Sequence, residues 1–326
     1  MNKPGGRCAY SSDLVSCQDQ PINGSLYCFW HAPEADKTGA DVKERLEERA
    51  RTGEPMDGFI LKGSYLENLN LVNIHGEPYH LTNADLSRAN LHNAHLYKVD
   101  LSGSRLLKAN LSGANLHCAD LSGCNLLGVN LKACRLEHVN WGAQICQALM
   151  AKGIRGLRRQ EKAVALYEEA EEVARNIRKN CEGQGLFDVA GEFFHREMIF
   201  RRYQMPRFSY RRIMSKLVDL VSGYGEKPIR VIFFSAIFIL VCSVFYFVNG
   251  INDSGEVVRF AWEQTYFTNF KAWLDCLYFS VVTFTTLGYG DLTPLGPSRI
   301  CAALEAFTGS FSLALFVVVF VKKMTR

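Results

Sequence analysis

The chain has 326 residues, enough for two or three domains, and its 48% apolar and 21% charged side chains are those of an ordinary globular protein. The formal net charge of +4 sits largely beside two long apolar segments, where it reads as a membrane-orientation signal, so no nucleic-acid partner is expected. No nucleophile–base constellation and no phosphate-binding loop is found, so an enzyme is not expected. The opening MNKPGGRCAY lacks the apolar core of a signal peptide, which predicts that the N-terminal part stays in the cytoplasm.

Residues 1–35 carry Cys8, Cys17, Cys28 and His31 in the spacing Cys-x8-Cys-x10-Cys-x2-His. Three thiolates and one imidazole complete a closed tetrahedral site for structural Zn2+. A segment this short has little core without a staple, and a reducing cytoplasm disfavours disulfides. The alternative is a set of ordinary reduced cysteines. Among the remaining cysteines, Cys124 and Cys134 fall in the repeat described next, while Cys242, Cys276 and Cys301 fall in the membrane region.

Residues 57–143 are dominated by a five-residue period. Leucine recurs at 61, 66 and 71 and then without a break from 81 to 136, and Trp141 keeps the phase. Ala84, Ala89, Ala94, Ala109, Ala114, Ala119, Cys124 and Cys134 recur two positions ahead of the leucines, usually followed by Asn or Asp. A period of five fits neither an amphipathic helix nor an alternating strand. The pattern resembles the pentapeptide-repeat family. That resemblance implies a right-handed β-helix with four pentapeptides per square coil and with the leucine and the small residue pointing inward. Gly76 occupies a leucine position within HGEPYH, which predicts a loop there. Residues 57–141 hold seven acidic and seven basic side chains, a balance that argues against DNA mimicry and leaves a rigid scaffold or a ligand-binding face. The solenoid needs covered ends, which its flanks could supply.

Residues 144–204 read as a helical hairpin, with apolar positions at helical spacing over 163–180, a break at GQG (183–185) and a second arm over 186–204. One pair of helices is expected to pack on the β-helix or on another subunit. Residues 205–228 place Ile213, Leu217, Leu220 and Val221 on one face against Arg and Lys, as an amphipathic helix at the cytoplasmic membrane surface would. Pro228 suits the first turn of the next helix.

Residues 229–249 and 299–322 are expected to cross the bilayer. They contain 18 uncharged residues over 231–248 and 22 residues over 300–321 with Glu305 as the single charge, enough for the ~30 Å hydrocarbon core. Residues 195–230 carry nine Lys/Arg against three Asp/Glu, and Lys322, Lys323 and Arg326 follow the second span. The connecting loop carries Asp253, Glu256, Glu263, Asp275 and Asp291 against Arg259, Lys271 and Arg299. Both termini are therefore expected inside a plasma or inner membrane and the loop outside. Within the loop, residues 271–291 begin with KAWLDCLYFSVVTF, too short to span and long enough for a re-entrant helix.

The continuation, Thr285-Thr286-Leu287-Gly288-Tyr289-Gly290-Asp291, resembles the filter signature of the two-transmembrane potassium channels, Thr-Thr-Val-Gly-Tyr-Gly-Asp. The resemblance covers about 229–323 and implies a homotetramer conducting K+ through backbone carbonyls. It implies that the carbonyls of Thr286, Leu287, Gly288 and Tyr289 and the Thr286 hydroxyl line the ion queue. It also implies that Tyr289 braces the loop and that Asp291 sits at the outer mouth. Leu287 departs from the usual valine or isoleucine, which leaves its carbonyl unchanged. In the second span, Gly309 reads either as a bending point or as a site of close helix packing. Glu305 is either hydrogen-bonded behind the filter or part of a ring facing the pore. Continuing its face through Leu313 brings in Phe316 and Phe320 as candidates for a gate. The expected fold is thus a multidomain membrane protein: a small zinc-binding N-terminal module, a right-handed pentapeptide-repeat β-helix, a helical linker and a two-transmembrane-helix tetrameric pore. The competing reading is a membrane-tethered pentapeptide-repeat scaffold with a closed or vestigial pore. The gating stimulus and any cytoplasmic regulator are not encoded in a recognisable motif.

Overall fold

The structure is a computed structural model and describes residues 6–12, 15–73, 76–154 and 160–324. The chain divides into two compact units, Met1–Arg207 and Phe208–Arg326. The extreme ends of the expected 1–35 module and of the basic C-terminal tail lie outside the described residues.

In the first unit the five-residue period has a backbone cause. Each pentapeptide turns a corner with an i to i+3 hydrogen bond, such as Ala89 N–H to Leu86 C=O at 3.1 Å and Ala94 N–H to Leu91 C=O at 3.1 Å. The third corner residue is left-handed in every repeat from Asn83 (φ 54°) to His138 (φ 58°), as a type II turn requires. Between corners, single residues pair in parallel with the coil beneath, with an offset of 20 residues from His80–Asp100 to Asp120–Asn140. Leu81 to Leu136 and the small residues two positions ahead of them are buried, so the interior is a stack of leucine layers. The Cys124 and Cys134 thiols lie in that interior and donate to Leu101 and Leu111 carbonyls at 3.0 and 2.8 Å. Side-chain amides form a ladder outside it, Asn130 to Asn110 at 2.9 Å and Asn110 to Asn90 at 3.0 Å.

The expected interruption at Gly76 is visible in the register. Ile60–Asp85, Tyr65–Asn90 and Asn70–His95 pair with an offset of 25, so this coil holds one pentapeptide more than the others. Ile74 and His75 lie outside the described residues.

Both ends of the stack are covered. At the N-terminal end sits the Cys/His segment, with Trp30 stacked on Phe59 at 4.9 Å. Beside it is a helix not anticipated from the sequence, α1 (Asp41–Thr52), which buries Val42, Leu46 and Ala50. Asp41 and Glu44 in its first turn and Arg49 and Arg51 in its last complement the helix dipole, and Gly53 at φ 74° ends it. At the C-terminal end are three helices rather than the expected two: α2 (Cys146–Gly153), α3 (Gln160–Gly183) and α4 (Phe187–Gln204). The additional α2 is only eight residues long and inserts Gln147 and Ala148 under the last coil, with Gln147 donating to Asn125 at 2.8 Å. The α3–α4 hairpin docks on the β-helix through Asn176 to the Val129 carbonyl (2.8 Å), the Leu136 N–H to Gln184 (3.1 Å) and the Trp141–Phe193 ring contact (5.7 Å). Arg175 and Arg178 both grip Glu197, at 3.0 and 2.8 Å, which locks the two arms together.

The second unit contains α5 (Tyr210–Ser222), α6 (Pro228–Asn249), α7 (Tyr266–Phe284) and α8 (Ser298–Met324). α6 and α8 are long and apolar enough to cross a membrane, with mean hydropathies of 2.8 and 2.0 and little of either buried within the single chain. α5 exposes Ile213, Leu217 and Leu220, the apolar face expected to lie on the membrane, and Ser222 is its buried residue. It is anchored by Arg230, which bonds the Asp219 carboxylate at 2.8 Å, and the following turn by Lys322 to Glu226 at 2.5 Å. The loop between α6 and α7 forms a small sheet that the sequence reading missed. β1 (Ile251–Asp253) pairs antiparallel with β2 (Glu256–Val258) and with β3 (Leu292–Pro294), which follows Thr285–Asp291. The helix expected from Lys271 starts five residues earlier, at Tyr266, because Thr265 is extended and the aromatic Tyr266–Phe270 stretch is already helical.

Candidate pore loop and metal centre

α7 ends at Phe284 and delivers the chain directly into Thr285–Asp291. The backbone handedness then alternates: Thr286, Gly288 and Gly290 have φ of 60°, 57° and 81°, while Leu287 and Tyr289 between them stay on the negative side. Such alternation turns successive carbonyls toward one side, whereas a strand points them alternately to opposite sides. The two glycines adopt it without a Cβ penalty; Thr286 does so at a cost, and its hydroxyl donates to the Thr285 carbonyl at 2.6 Å. Leu287 and Tyr289 are exposed in the single chain. Asp291 accepts a hydrogen bond from Tyr278 of α7 at 2.9 Å, which ties the outer end of the loop to the helix that precedes it. Tyr278 was not singled out from the sequence.

Behind the loop, Glu305 of α8 is fully buried. It accepts a hydrogen bond from Tyr246 of α6 at 2.5 Å, and Ser280 Oγ of α7 lies 2.5 Å from its other oxygen. This carboxyl therefore joins all three helices. Gly309 is buried against the last carbonyl of α7: an added Cβ would lie 1.9 Å from the Phe284 oxygen. The face that begins at Glu305 and Gly309 continues through Ser312 and Val319, which are buried. Leu313 and Phe320 are exposed in the single chain, and half-buried Phe316 stacks on Phe320 at 5.6 Å. Leu313, eight residues from Glu305, is turned about 80° away from it, whereas Phe316, eleven residues on, is turned by only about 20°.

At the N-terminal end of the chain, Cys8, Cys17, Cys28 and His31 converge, all four buried, with their ligand atoms within 4.8 Å of one another. Cys17 Sγ lies 3.8 Å from Cys28 Sγ, and His31 Nδ1 lies 3.2 Å from Cys28 Sγ and 3.6 Å from Cys8 Sγ. A tetrahedron with Zn–S near 2.3 Å has S···S edges of about 3.8 Å, so the donor set fits this ion. His31 Nε2 lies 2.9 Å from the Asp57 carbonyl, which fixes the proton on Nε2 and leaves the Nδ1 lone pair facing the thiols. Tyr10 stacks on the imidazole at 3.9 Å. Burial pushes the Cys17 and Cys28 thiols up and the His31 imidazole down, so without a cation the cluster favours neutral, protonated sulfur. A divalent ion reverses that preference at the thiols, while the depressed histidine stays neutral and free to ligate.

Comparison with known proteins finds two family matches in separate parts of the chain. Residues 235–326 match the family model described as ion channel. Residues 80–107 and 104–140 match pentapeptide repeats, in eight copies. Both are non-enzymatic kinds of protein, and with α6 and α8 the channel domain marks a membrane protein. Among solved structures, HetL, a pentapeptide-repeat protein involved in heterocyst differentiation regulation from the cyanobacterium Nostoc, is 29% identical over 27% of this chain and 38% of its own, with a TM-score of 0.25. Rfr23 from the cyanobacterium Cyanothece is 33% identical over 27% of this chain and 58% of its own, TM-score 0.23. The Nostoc protein alr5209 is 29% identical over 31% of this chain and 76% of its own, TM-score 0.26. The chain thus covers well under two thirds of the first two. No curated protein matches the chain.

Proposed function

We propose that four copies of this chain form a potassium-selective channel, with Thr285–Asp291 as the filter. The observation that carries the reading is the alternating handedness at Thr286, Gly288 and Gly290, placed directly after the C-terminus of α7. In a closed four-fold ring, carbonyls of Thr286, Leu287, Gly288 and Tyr289 replace the hydration shell of a K+ ion, and neighbouring copies and ions satisfy groups that lipid cannot. The C-terminal end of each α7 adds a partial negative charge that favours a cation on the axis. Tyr278 holds Asp291 at the outer mouth, and Glu305 holds the three helices behind the filter. The chain then conducts K+ passively across a plasma or inner membrane, with both termini cytoplasmic. Purified protein in planar bilayers, with K+ on one side and Na+ on the other, should show a reversal potential displaced far from zero in the sense of K+ permeation. Equal permeation of the two ions would overturn the reading.

In this reading Cys8, Cys17, Cys28 and His31 hold a structural Zn2+ that closes the N-terminal end of the β-helix. Metal analysis of the pure protein should find one zinc per chain, absent from Cys28→Ser. The affinity should fall as pH falls, because protons compete for three thiolates and one imidazole. A protein free of zinc at neutral pH would remove the assignment.

The first unit serves assembly or gating. Residues 208–227, including α5, lead from it into α6. Deleting residues 1–200 should alter the open probability of a conducting pore if the unit regulates. Failure of the truncated chain to assemble would give it the scaffold role, and unchanged assembly and gating would exclude both.

A further inference from the structure

A cavity of about 590 Å³ lies beside the metal-ligand cluster, within the first unit. It is bounded by the end of α1, by the segment Pro55–Asp57 that enters the first coil, and by Glu77–His80 from the oversized coil. Its apolar wall is built from Met56, Pro78 and Tyr79. Four carboxylates also line it: Glu54, Asp57, Glu77 and Asp100. Their charge is poorly matched. Arg49 is shared between Asp19 and Glu54, 3.0 Å from each, and His80 bonds Asp100 at 2.9 Å. Asp57 is 6% exposed, and its side chain accepts hydrogen bonds from Tyr10, Thr82 and Asn83, all uncharged donors.

We propose that this cavity binds a small organic cation: an ammonium group carried on a short apolar body. The volume is that of a small-molecule site, and the mixture of one apolar wall with a few charged groups of one sign selects such a ligand over a sugar, an anion or a neutral lipid. An inorganic ion fits poorly. Among the described residues, the acids of the cavity do not converge into a metal-ligand group, whereas the three cysteines and His31 do. The site also lies where the repeat breaks its own rule. Every later coil holds its offset of 20 residues, and the one coil that carries an additional pentapeptide supplies a wall of the cavity. Departures from local regularity of this kind concentrate at functional positions. A smaller adjoining cavity of about 270 Å³ shares Glu54, Pro55 and Asp57 and reaches Cys17 and His31, so an occupant would sit against the metal module.

The test is calorimetric titration of the full-length, zinc-loaded protein in zwitterionic nanodiscs. The probe is 1,6-diaminohexane, and 1,6-hexanediol is its uncharged counterpart. Saturable binding of the diamine is expected, with none by the diol at equal concentration. Glu77→Gln and Asp100→Asn should each weaken the diamine by about tenfold or more, the scale of one lost charge-assisted contact. Circular dichroism and zinc content report whether each variant keeps its fold. Should Asp100→Asn lose the β-helix, Glu77→Gln decides alone, because its side chain lies outside the leucine stack. Absence of diamine binding, equal binding of the diol, or unchanged affinity in folded variants would overturn the proposal.

Discussion

Gly288→Ala is expected to give a folded, assembled protein that carries no K+ current. In one chain the added methyl meets nothing within 4 Å, so no intrachain clash enters the prediction. The cost comes from the backbone. Gly288 sits at φ 57°, where an L-residue is less stable by about 1–2 kcal/mol. Thr286 already sits at φ 60° in the same loop, so the strand has little freedom to relax by reversing its neighbour. In the proposed tetramer all four filters must be formed together, and about 4–8 kcal/mol summed over the ring lowers the conducting population by about 1000-fold or more. Size-exclusion chromatography should return an unchanged assembly and bilayer recording an absent K+ current. Normal conduction by an assembled Gly288→Ala protein would remove Thr286–Tyr289 from the ion path.

The parts of this molecule that were legible in its sequence are those whose cause is local. The β-helix announces itself because every pentapeptide repeats the same corner, with leucine before it, a left-handed residue inside it and a small residue after it. The left-handed position itself is hidden, since Arg88, Lys98, Lys108, Ala133 and His138 occupy it alongside glycine and asparagine. The metal ligands were readable as residue types. The hydrogen bond from His31 Nε2 to the Asp57 carbonyl, 26 residues away, was not. Three-residue strands such as β1 and β3 have no periodicity to read, because their pairing, Ile251 with Pro294, joins segments on either side of α7. The start of α7 was missed for a related reason: the run Tyr266–Phe270 is a weak helix former by composition, and what anchors it is a non-local pair of hydrogen bonds between the Asn269 side chain and the Ala261 backbone. Glu305 stood out as an ionisable residue in an apolar span, yet its partners, 25 and 59 positions away, are fixed by the packing of three helices.

Gly309→Ala is expected to loosen the filter rather than to stiffen a hinge. The two readings of this glycine predict opposite signs. As an exposed helical position, alanine would be favoured over glycine by about 0.5–1 kcal/mol, and a bending point would lose open probability while selectivity stayed intact. The structure places an added Cβ 1.9 Å from the Phe284 oxygen, 2.8 Å from its carbonyl carbon and 3.0 Å from its Cα. Those atoms are backbone and cannot swing aside as a side-chain tip would. Restoring ordinary van der Waals contact requires α8 and the end of α7 to separate by about 1.5 Å. Overpacking of this kind costs about 1–3 kcal/mol and outweighs the gain in helix propensity. Phe284 is the residue immediately before Thr285, so the displacement is passed directly to the start of the proposed filter, while Glu305 one turn away still holds α6 and α7 in place. Gly309→Ala should therefore lower the thermal stability of the assembled protein and reduce its preference for K+ over Na+ in a reversal-potential measurement. Ser310→Ala, on the exposed side of the same turn, should change neither. A Gly309→Ala channel with intact selectivity, unchanged melting and altered open probability would instead establish the bend, and would show that α8 moves away from Phe284 when the pore opens.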